Sequence, residues 1–225
     1  MQIYIKNRSI ERKAKIANYL MYAGPILLVG IFILSFSYPE STTILGIAAL
    51  ISFVVSQYGI ILKNRWGKRP RIDEIIDQSL KGLDSKFTIF HYELGANHVL
   101  ISPSGIFALV PVILDGKIRF EDGKWWQIKK SLGRERKKQQ NKITTDAEFE
   151  VRALSRSLQK KLPDQTIPEI KPILMFLHPD AALTVDHAPV YASHIKKLKS
   201  LIRKLEKAST LEENQIAVLA DATGF

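Results

Sequence analysis

The sequence predicts an α/β protein in which a two-helix transmembrane hairpin is followed by a mixed-sheet α/β/α domain. Two long apolar runs stand near the start of the chain. Short β-branched and aromatic runs follow them, and the later segments carry apolar residues at helical spacing. On this division we place a basic N-terminal segment at 1–15, the hairpin at 16–63, a basic linker at 64–71 and the main domain at 72–225.

The hairpin is predicted from the runs 17–38 and 41–62, each with roughly the 20 residues that a helix needs to cross a bilayer. Glu40 is the only formally charged residue between Ala17 and Leu62, and it lies in the polar stretch SYPEST. Such residues favour a tight turn at the membrane interface. Small residues that would let the two helices approach closely are Gly30, Gly46, Ala48 and Ala49.

Basic residues flank the hairpin at both of its ends, whereas the turn between the helices has none. The positive-inside bias therefore predicts a two-pass integral membrane protein whose termini and main domain are cytoplasmic. A cleaved signal peptide is the alternative, but the first run is longer than a typical signal core and a second run follows at once. The flanking residues are Lys6, Arg8, Arg12, Lys13 and Lys15 on one side and Lys63, Arg65, Lys68, Arg69 and Arg71 on the other.

The amino-acid composition limits the partners and the kinds of site that the chain can have. A formal net charge of +11 favours an anionic partner, with phospholipid headgroups and nucleic acid both as candidates. The absence of cysteine excludes disulfides, thiolate metal sites and a cysteine nucleophile. No two histidines stand at i,i+3 or i,i+4, and neither a dinucleotide fingerprint nor a P-loop occurs, so we expect no zinc site, nucleotide or other cofactor.

The first half of the main domain reads as one helix and several strands. IDEIIDQSLKGL places Ile75, Ile76, Leu80 and Leu83 on one helical face. FTIFHYEL, HVLIS and GIFALVPVI then predict three consecutive strands, in a meander or a mixed sheet. A fourth short strand lies between the turn signals Asp115-Gly116 and Asp122-Gly123.

A basic segment from Lys129 to Lys142 follows and is predicted to be an exposed loop. Seven basic residues and one acid occupy its positions, and the segment is too polar to contribute to a core. It is either a solvated loop or a surface that contacts nucleic-acid phosphates or anionic lipid headgroups. The candidate phosphate- or lipid-binding residues are Lys129, Lys130, Arg134, Arg136, Lys137, Lys138 and Lys142.

The rest of the domain is predicted to contain further helices around one buried strand. A helix capped by Thr145 or Asp146 ends before Pro163, PILMFL has the continuous apolar character of a central strand, and SHIKKLKSLIRKLEKA is strongly amphipathic. The terminal LEENQIAVLADA favours a short helix, with IAVLA as an alternative strand. This order predicts helices packed on both faces of a mixed sheet.

The stretch LGANHVLISPSGIFALVPVILDGKI, followed by a Trp, a helix, an apolar strand and an amphipathic helix, resembles the nuclease-related domain family, known as NERD. The resemblance covers roughly residues 72–222 and implies a restriction-endonuclease-like fold, often placed next to transmembrane helices. It also implies metal-assisted phosphodiester hydrolysis, in which an Asp ahead of one strand and a Glu-x-Lys at the end of the next hold a divalent ion.

Aligned on Gly105 and Gly116, those three positions are occupied here by Asn97, Val110 and Val112. Valine offers no oxygen ligand, so the resemblance implies a catalytically degenerate site without metal. We expect a membrane-anchored module that binds nucleic acid or a protein at the cytoplasmic face. The alternatives are an active nuclease that uses relocated ligands, with Glu93 and Asp115 as candidates, and a structural assembly subunit resting on acidic lipid.

Overall fold

The structure is a computed structural model that describes residues 1–5, 7–131, 133–163, 165–185 and 187–208. The C-terminal helix or strand predicted from LEENQIAVLADA lies outside the described residues. The chain divides into two compact units, Lys6–Arg71 and Met1–Ile5 together with Ile72–Phe225. The fold is mixed α/β, with two long apolar helices ahead of a mixed-sheet domain.

The first unit is an antiparallel pair of helices, α1 (Asn7–Ser37) and α2 (Thr42–Trp66), joined by a short 3-10 turn at Pro39–Ser41. The segments Arg8–Ser37 and Pro39–Trp66 are each long and apolar enough to span a membrane. Large apolar side chains such as Ile26, Phe36 and Ile44 are exposed on these helices. Exposed apolar surface of this extent suits a hydrocarbon environment better than water.

Small residues let the two helices approach closely, and the two closest approaches are at glycines that were not predicted. A Cβ added to Gly24 would stand 2.5 Å from the Cβ of Ser56, and one added to Gly59 would stand 2.3 Å from the backbone nitrogen of Met21. By contrast, Gly30 and Gly46 have no neighbouring atom within 4 Å of such a Cβ. The contact face is therefore set by the i,i+4,i+7 series Ser52, Ser56 and Gly59 on α2.

Basic and aromatic side chains gather at the open end of this helix pair. The ammonium of Lys13 lies 4.4 Å from the centroid of the Trp66 ring, and that of Lys63 lies 5.6 Å from the Tyr22 ring. Helix α1 begins at Asn7, so the basic residues from Arg8 to Lys15 that were predicted to precede the helix lie on its first turns. Both basic flanks consequently stand at the same end of the unit.

The described part of the second unit contains two β-sheets and three α-helices. Its elements are β1 (Gln2–Ile5), α3 (Ile72–Leu80), β2 (Thr88–His91), β3 (His98–Ser102), β4 (Gly105–Val112), β5 (Gly116–Glu121), β6 (Lys124–Ser131), β7 (Arg134–Gln139), α4 (Lys142–Lys161), β8 (Ile170–Phe176), β9 (Ala181–Val185), β10 (Tyr191–His194) and α5 (Leu198–Ala208). One sheet has six strands in the order β1-β2-β3-β4-β8-β10, and the other has four in the order β7-β6-β5-β9.

The six-stranded sheet lies between helices packed on its two faces. Strands β2, β3 and β4 form an antiparallel meander, and β8 then pairs parallel to β4. Helices α3 and α5 cover one face, where Phe107 and Met175 are buried, and α4 covers the other through Leu154 and Leu158. The predicted mixed sheet and its α/β/α layering are therefore present.

The four-stranded sheet buries only one of its faces. Ile118 and Trp125 pack on α4 and on the ends of β4 and β8, whereas Ala182 and Thr184 on the opposite face of β9 are exposed. The adjacent tryptophans lie on opposite faces of β6, so Trp125 is buried and Trp126 is half-buried. Unlike the larger sheet, this one therefore presents an open face to its surroundings.

Several strands were not predicted. The segment 1–15 is divided, because Gln2–Ile5 pairs in parallel with Thr88–His91 and so adds an edge strand to the main domain. Strands β7, β9 and β10 are short or polar, and their conformation depends on pairing with distant partners. The domain predicted at 72–225 thus also contains the first five residues of the chain.

Candidate functional site

The three positions that the resemblance assigns to the catalytic motif lie at the ends of two neighbouring interior strands of the six-stranded sheet. Asn97 immediately precedes β3, and Val110 and Val112 lie at the end of β4. Continuing the register of Val99 opposite Ala108 by two residues places Asn97 across from Val110. Both valines are buried, Val110 being 2% exposed, and they pack with apolar residues of β5, α4 and β8.

Asn97 is held by a carboxylate that the sequence analysis missed. The backbone N–H of Asn97 donates to Oε2 of Glu150 at 2.7 Å, and its side-chain amide donates to Oε1. Glu150 is only 6% exposed. It follows Ala147 by three positions and precedes Leu154 by four, so its place on the apolar stripe of α4 was visible in the sequence. This carboxylate therefore serves the local structure as an acceptor for two donors.

The alternative ligands Glu93 and Asp115 do not complete a metal site. Within the described ranges, no three His, Asp or Glu side chains are grouped so that they could hold a metal ion. Asp115 accepts a hydrogen bond from Gln127 Nε2 at 2.9 Å and pairs with Lys129 Nζ at 2.5 Å. The hydrogen bond from Lys129 lowers the pKa of the Asp115 carboxyl below its usual range, so this carboxylate stays ionised and paired.

A cavity of about 340 Å³ adjoins Val112. It contains a single carboxylate, from Asp146, and a single ammonium, from Lys142. Hard divalent cations require several oxygen ligands, which one carboxylate and neighbouring aliphatic side chains do not supply. The lining residues are Pro111, Val112, Ile113, Leu114, Gln140, Lys142, Ile143 and Asp146.

The segment from Lys129 to Lys142 is a β-hairpin and the start of a helix, which corrects the predicted loop. Its seven basic residues are distributed as Lys129 and Lys130 in β6, Arg134, Arg136, Lys137 and Lys138 in β7, and Lys142 at the first position of α4. Strand β7 has no apolar side chain and is exposed at every position. It is a strand because β6 supplies its hydrogen-bond partners, with Lys129 opposite Arg136.

Strand alternation places these cations on both faces of the hairpin. Directly paired residues share a face, so Lys129, Arg136 and Lys138 lie on one side and Lys130 and Lys137 on the other. Lys129 is paired with Asp115, and Lys137 with Glu121 at 2.9 Å. Of the six candidate phosphate- or lipid-binding residues in the hairpin, four make no ion pair in the part of the chain that the structure describes, and they are Lys130, Arg134, Arg136 and Lys138.

Trp126 lies at the centre of the open face of the four-stranded sheet. The Lys137 ammonium is 4.4 Å from its ring centroid and also bonds the Glu121 carboxylate, which accepts from Arg119 at 3.3 Å. Hydrogen bonds from Lys137 and then Arg119 lower the pKa of Glu121 below its usual range. Because one side of the Trp126 ring is covered, stacking by a flat ligand would have to displace Lys137.

A polar chain that links the half-buried Asp77 to the buried His91 and His98 was also missed. His91 Nε2 lies 2.9 Å from Asp77 Oδ1, and His91 Nδ1 lies 2.7 Å from His98 Nδ1. Both rings are buried, and the two histidines are direct cross-strand partners between β2 and β3. Their spacing of seven residues conceals this contact, which only the strand register reveals.

No family model, no curated protein and no solved structure matches this chain.

Proposed function

We propose that this chain is a membrane-anchored, nuclease-related domain protein that lacks metal-dependent hydrolysis and binds nucleic acid. The observation that carries the proposal is the basic β6–β7 hairpin, where four cations without acidic partners are held on an ordered strand pair. Fixed cations of this density favour a polyanion, because each phosphate contact releases condensed counterions.

The element order supports a restriction-endonuclease-like fold of the NERD type. An antiparallel meander leads through a helix to a strand parallel to the last strand of the meander, and helices cover both faces of the sheet. The strands β3 and β4 coincide with the two strands of the family motif, and the metal-ligand positions fall at neighbouring ends of these two strands. The proposal of a nuclease-related origin depends on this correspondence.

The residues at those positions support binding rather than hydrolysis. Val110 and Val112 pack in an apolar cluster, and Glu150 is engaged by both donors of Asn97. Hydrolysis of a phosphodiester by the metal-assisted route needs an ion held by oxygen ligands beside the scissile bond. In this proposal the chain has the sheet of a nuclease-related domain without its metal ligands, and its positive charge lies in the β6–β7 hairpin.

Strand pairing supports a hairpin that crosses the membrane twice. Gln2–Ile5 pairs with Thr88–His91, so residues before α1 and after α2 belong to one sheet and lie on one side of any bilayer. The basic flanks stand at that open end, and the turn at Pro39–Ser41 has only Glu40 as a charge. By the positive-inside bias we propose that both termini and the sheet domain are cytoplasmic.

The proposal is tested with the full chain in nanodiscs of phosphatidylcholine, a lipid whose headgroup has no net charge. Labelled duplex DNA, single-stranded DNA and duplex RNA are titrated between about 50 and 200 mM salt, with fluorescence anisotropy as the readout. We expect the logarithm of the association constant to fall linearly with the logarithm of the salt concentration. We expect no cleavage in the presence of Mg²⁺ or Mn²⁺. Absence of binding to all three nucleic acids at the lowest salt would overturn the proposal.

The active-nuclease alternative is separated in the same preparation. Cleavage in Mn²⁺ that disappears in Glu93→Gln or Asp115→Asn would establish relocated ligands and replace the binding role by an enzymatic one. Glu148→Gln, on the exposed side of α4, serves as the matched carboxylate control. Loss of cleavage in that variant as well would indicate a contaminating nuclease.

The exposed cations of β7 also favour a second candidate, a structural subunit held against acidic lipid. Each Lys or Arg near an anionic membrane surface contributes about 1 kcal/mol of attraction. Nucleic-acid titrations in nanodiscs with and without phosphatidylserine distinguish the two roles. A nucleic-acid ligand competes with the acidic lipid, whereas a structural subunit shows no nucleic-acid binding in either disc.

A further inference from the structure

The outward face of α2 carries a polar side chain that the helix pair leaves without a partner. Gln57 is exposed, and its side-chain amide makes no hydrogen bond among the described residues. Ser52 differs from it, because Ser52 is buried against α1 and donates a hydrogen bond to the Ala48 carbonyl at 2.9 Å. At 3.6 residues per turn, Gln57 lies about 140° around the helix from Ser52. Its side chain therefore points away from α1.

Gln57 lies at a depth where a bilayer offers no hydrogen-bond partner. The middle of the apolar run 41–62 is near residue 52, and at 1.5 Å per residue Gln57 lies about 8 Å beyond it along the helix. Half of the hydrocarbon layer is about 15 Å thick, so the amide stays within it. An amide in hydrocarbon destabilises the protein unless another polar group takes up its hydrogen bonds. The outward face of α2 therefore requires contact with another helix.

Exposed residues on this face recur at coiled-coil spacing. Leu50, Gln57 and Asn64 follow one another at intervals of seven, and Phe53 and Ile60 stand three positions after the first two. Alternating steps of three and four form the seam of a left-handed coiled coil, where a polar residue at a core position fixes the register. The set, which we call the α2 seam, is exposed at every position and consists of Thr43, Gly46, Leu50, Phe53, Gln57, Ile60 and Asn64.

A second copy of this chain fits the α2 seam. All copies insert with the same topology, so two α2 helices lie parallel, and a residue at a core position of the seam meets its own counterpart across the twofold axis. The seam contains no charged residue, so this pairing brings no like charges together. A glutamine amide has both donors and an acceptor, so two Gln57 side chains can bond each other. Gly46 has no atom within 4 Å of a built Cβ, which leaves room for a close approach.

We infer that the chain forms a parallel homodimer through the α2 seam, with the Gln57 amides of the two copies hydrogen-bonded to each other inside the bilayer. The inference rests on the membrane-spanning hairpin of the proposed function and goes beyond it by assigning a partner. A different membrane protein is the other possible occupant of the seam, and in that case the purified chain is a monomer.

Contact between the seams is tested with single cysteines, because the chain has none of its own. Leu50→Cys places a thiol on the seam. Ile51→Cys is the matched control, since it lies at nearly the same depth but about 100° around the helix, and the two native side chains are similarly exposed, at 65% and 58%. Membranes of bacteria that express the full chain are oxidised by air with copper phenanthroline as the catalyst. We expect a disulfide-linked homodimer from Leu50→Cys and none from Ile51→Cys.

The contribution of Gln57 is measured as the dimer association constant of the full chain, by sedimentation equilibrium in detergent micelles. Gln57→Leu removes the amide and should lower the constant by between about threefold and thirtyfold. Gln57→Asn keeps an amide at the same position and should recover most of that loss. Far-UV circular dichroism establishes that each variant is folded.

Alkaline extraction of the same membranes separates the possible failures. A chain that resists extraction but is monomeric in micelles, or forms as much disulfide dimer from Ile51→Cys as from Leu50→Cys, overturns the inference while the proposed function stands. An association constant that Gln57→Leu leaves unchanged also overturns the inference, because Gln57 is then not at the contact. A chain that alkali removes from the membrane overturns the anchoring in the proposed function together with the inference.

Discussion

The two sheets of the domain differ in where their polar groups are directed. In the six-stranded sheet, polar side chains are turned inward and bonded to one another, as Asn97 is to Glu150 and His91 is to His98. In the four-stranded sheet, one face and the entire edge strand β7 are open, and most of the cations there have no acidic partner among the described residues. One small domain thus contains both an inward-facing polar network and an outward-facing cationic surface.

The difference has a physical cause in the layers around each sheet. Helices on both faces of the larger sheet exclude water, so every polar group inside must find a partner or destabilise the fold. The smaller sheet is covered on one face only, so its outward side chains remain hydrated and free to meet a ligand. Substitutions in the larger sheet should therefore lower stability much more than substitutions in the smaller one.

The largest effect is expected from Val110→Glu, which places an acid at a position that the resemblance to the NERD family assigns to the catalytic motif. An ionised carboxylate without a partner in this apolar cluster should lower the free energy of unfolding by about 3 to 5 kcal/mol. The measurement is urea unfolding of the full chain in detergent micelles, followed by tryptophan fluorescence. Lys138→Glu on exposed β7 is the control and should change stability by less than about 0.5 kcal/mol.

A Val110→Glu protein with wild-type stability that binds Mn²⁺ would break the comparison. Such a result would mean that this end of the larger sheet opens onto a cavity able to hold an ion, and that the scaffold retains a site.

Glu150→Ala should produce the next largest loss. The substitution leaves the backbone N–H and the amide of Asn97 without their acceptor, at a cost of about 2 kcal/mol in the free energy of unfolding. Glu148→Ala on the same helix removes only an exposed pair with Arg152 and should cost less than about 0.5 kcal/mol. Equal effects of the two substitutions would show that Glu150 is not a structural acceptor.

His98→Leu is expected to cost about 1 kcal/mol in the same urea titration. Leucine has a side-chain volume close to that of histidine, but it removes the hydrogen-bond partner of His91 Nδ1 in a buried site. His178→Leu, at a half-exposed ring, is the control and should lie within about 0.5 kcal/mol of the wild type. An unchanged stability of His98→Leu would show that the buried histidine contact contributes nothing to the larger sheet.

The smallest effect concerns the open sheet. Glu121→Gln removes the acidic partner of Lys137 and Arg119, so affinity for duplex DNA should rise. The gain should stay below the roughly eightfold that one full phosphate contact contributes at about 0.1 M salt. Glu148→Gln is the control for charge alone.

Lowering the pH should raise the affinity for duplex DNA, as Glu121→Gln does. The pKa of Glu121 is below its usual range, so the carboxylate is ionised at neutral pH and is neutralised only as pH falls through that lowered value. Lys137 is then released. A fall in affinity in the Glu121→Gln variant would contradict a role for this face in binding.

The sequence predicted those helices and strands whose own pattern of apolar side chains determines their secondary structure. HVLIS and the run GIFALVPV became β3 and β4, and the amphipathic run near the end became α5 after a short 3-10 turn. The seven basic residues were identified as exposed, but their segment was predicted to be a loop. RERKKQ has no apolar alternation, so only the ladder with β6 makes it a strand.

The polar groups of the larger sheet show the same limit. The pairing of His91 with His98 depends on the β2–β3 register, which no spacing rule for helices detects. The valines at two positions that the resemblance assigns to the catalytic motif are visible in the sequence, whereas the hydrogen bond from Asn97 to Glu150 depends on how α4 packs. Contacts between segments that are distant in the sequence could therefore not be predicted.

Strand β1 has a consequence for biogenesis. Gln2–Ile5 leaves the ribosome before the hydrophobic helices, while its partner Thr88–His91 emerges after them. The edge of the larger sheet can therefore be completed only once both helices have been synthesised, and until then β2 exposes an unpaired edge that favours aggregation. The four residues of β1 thus make completion of the sheet depend on a segment that is synthesised before the helices.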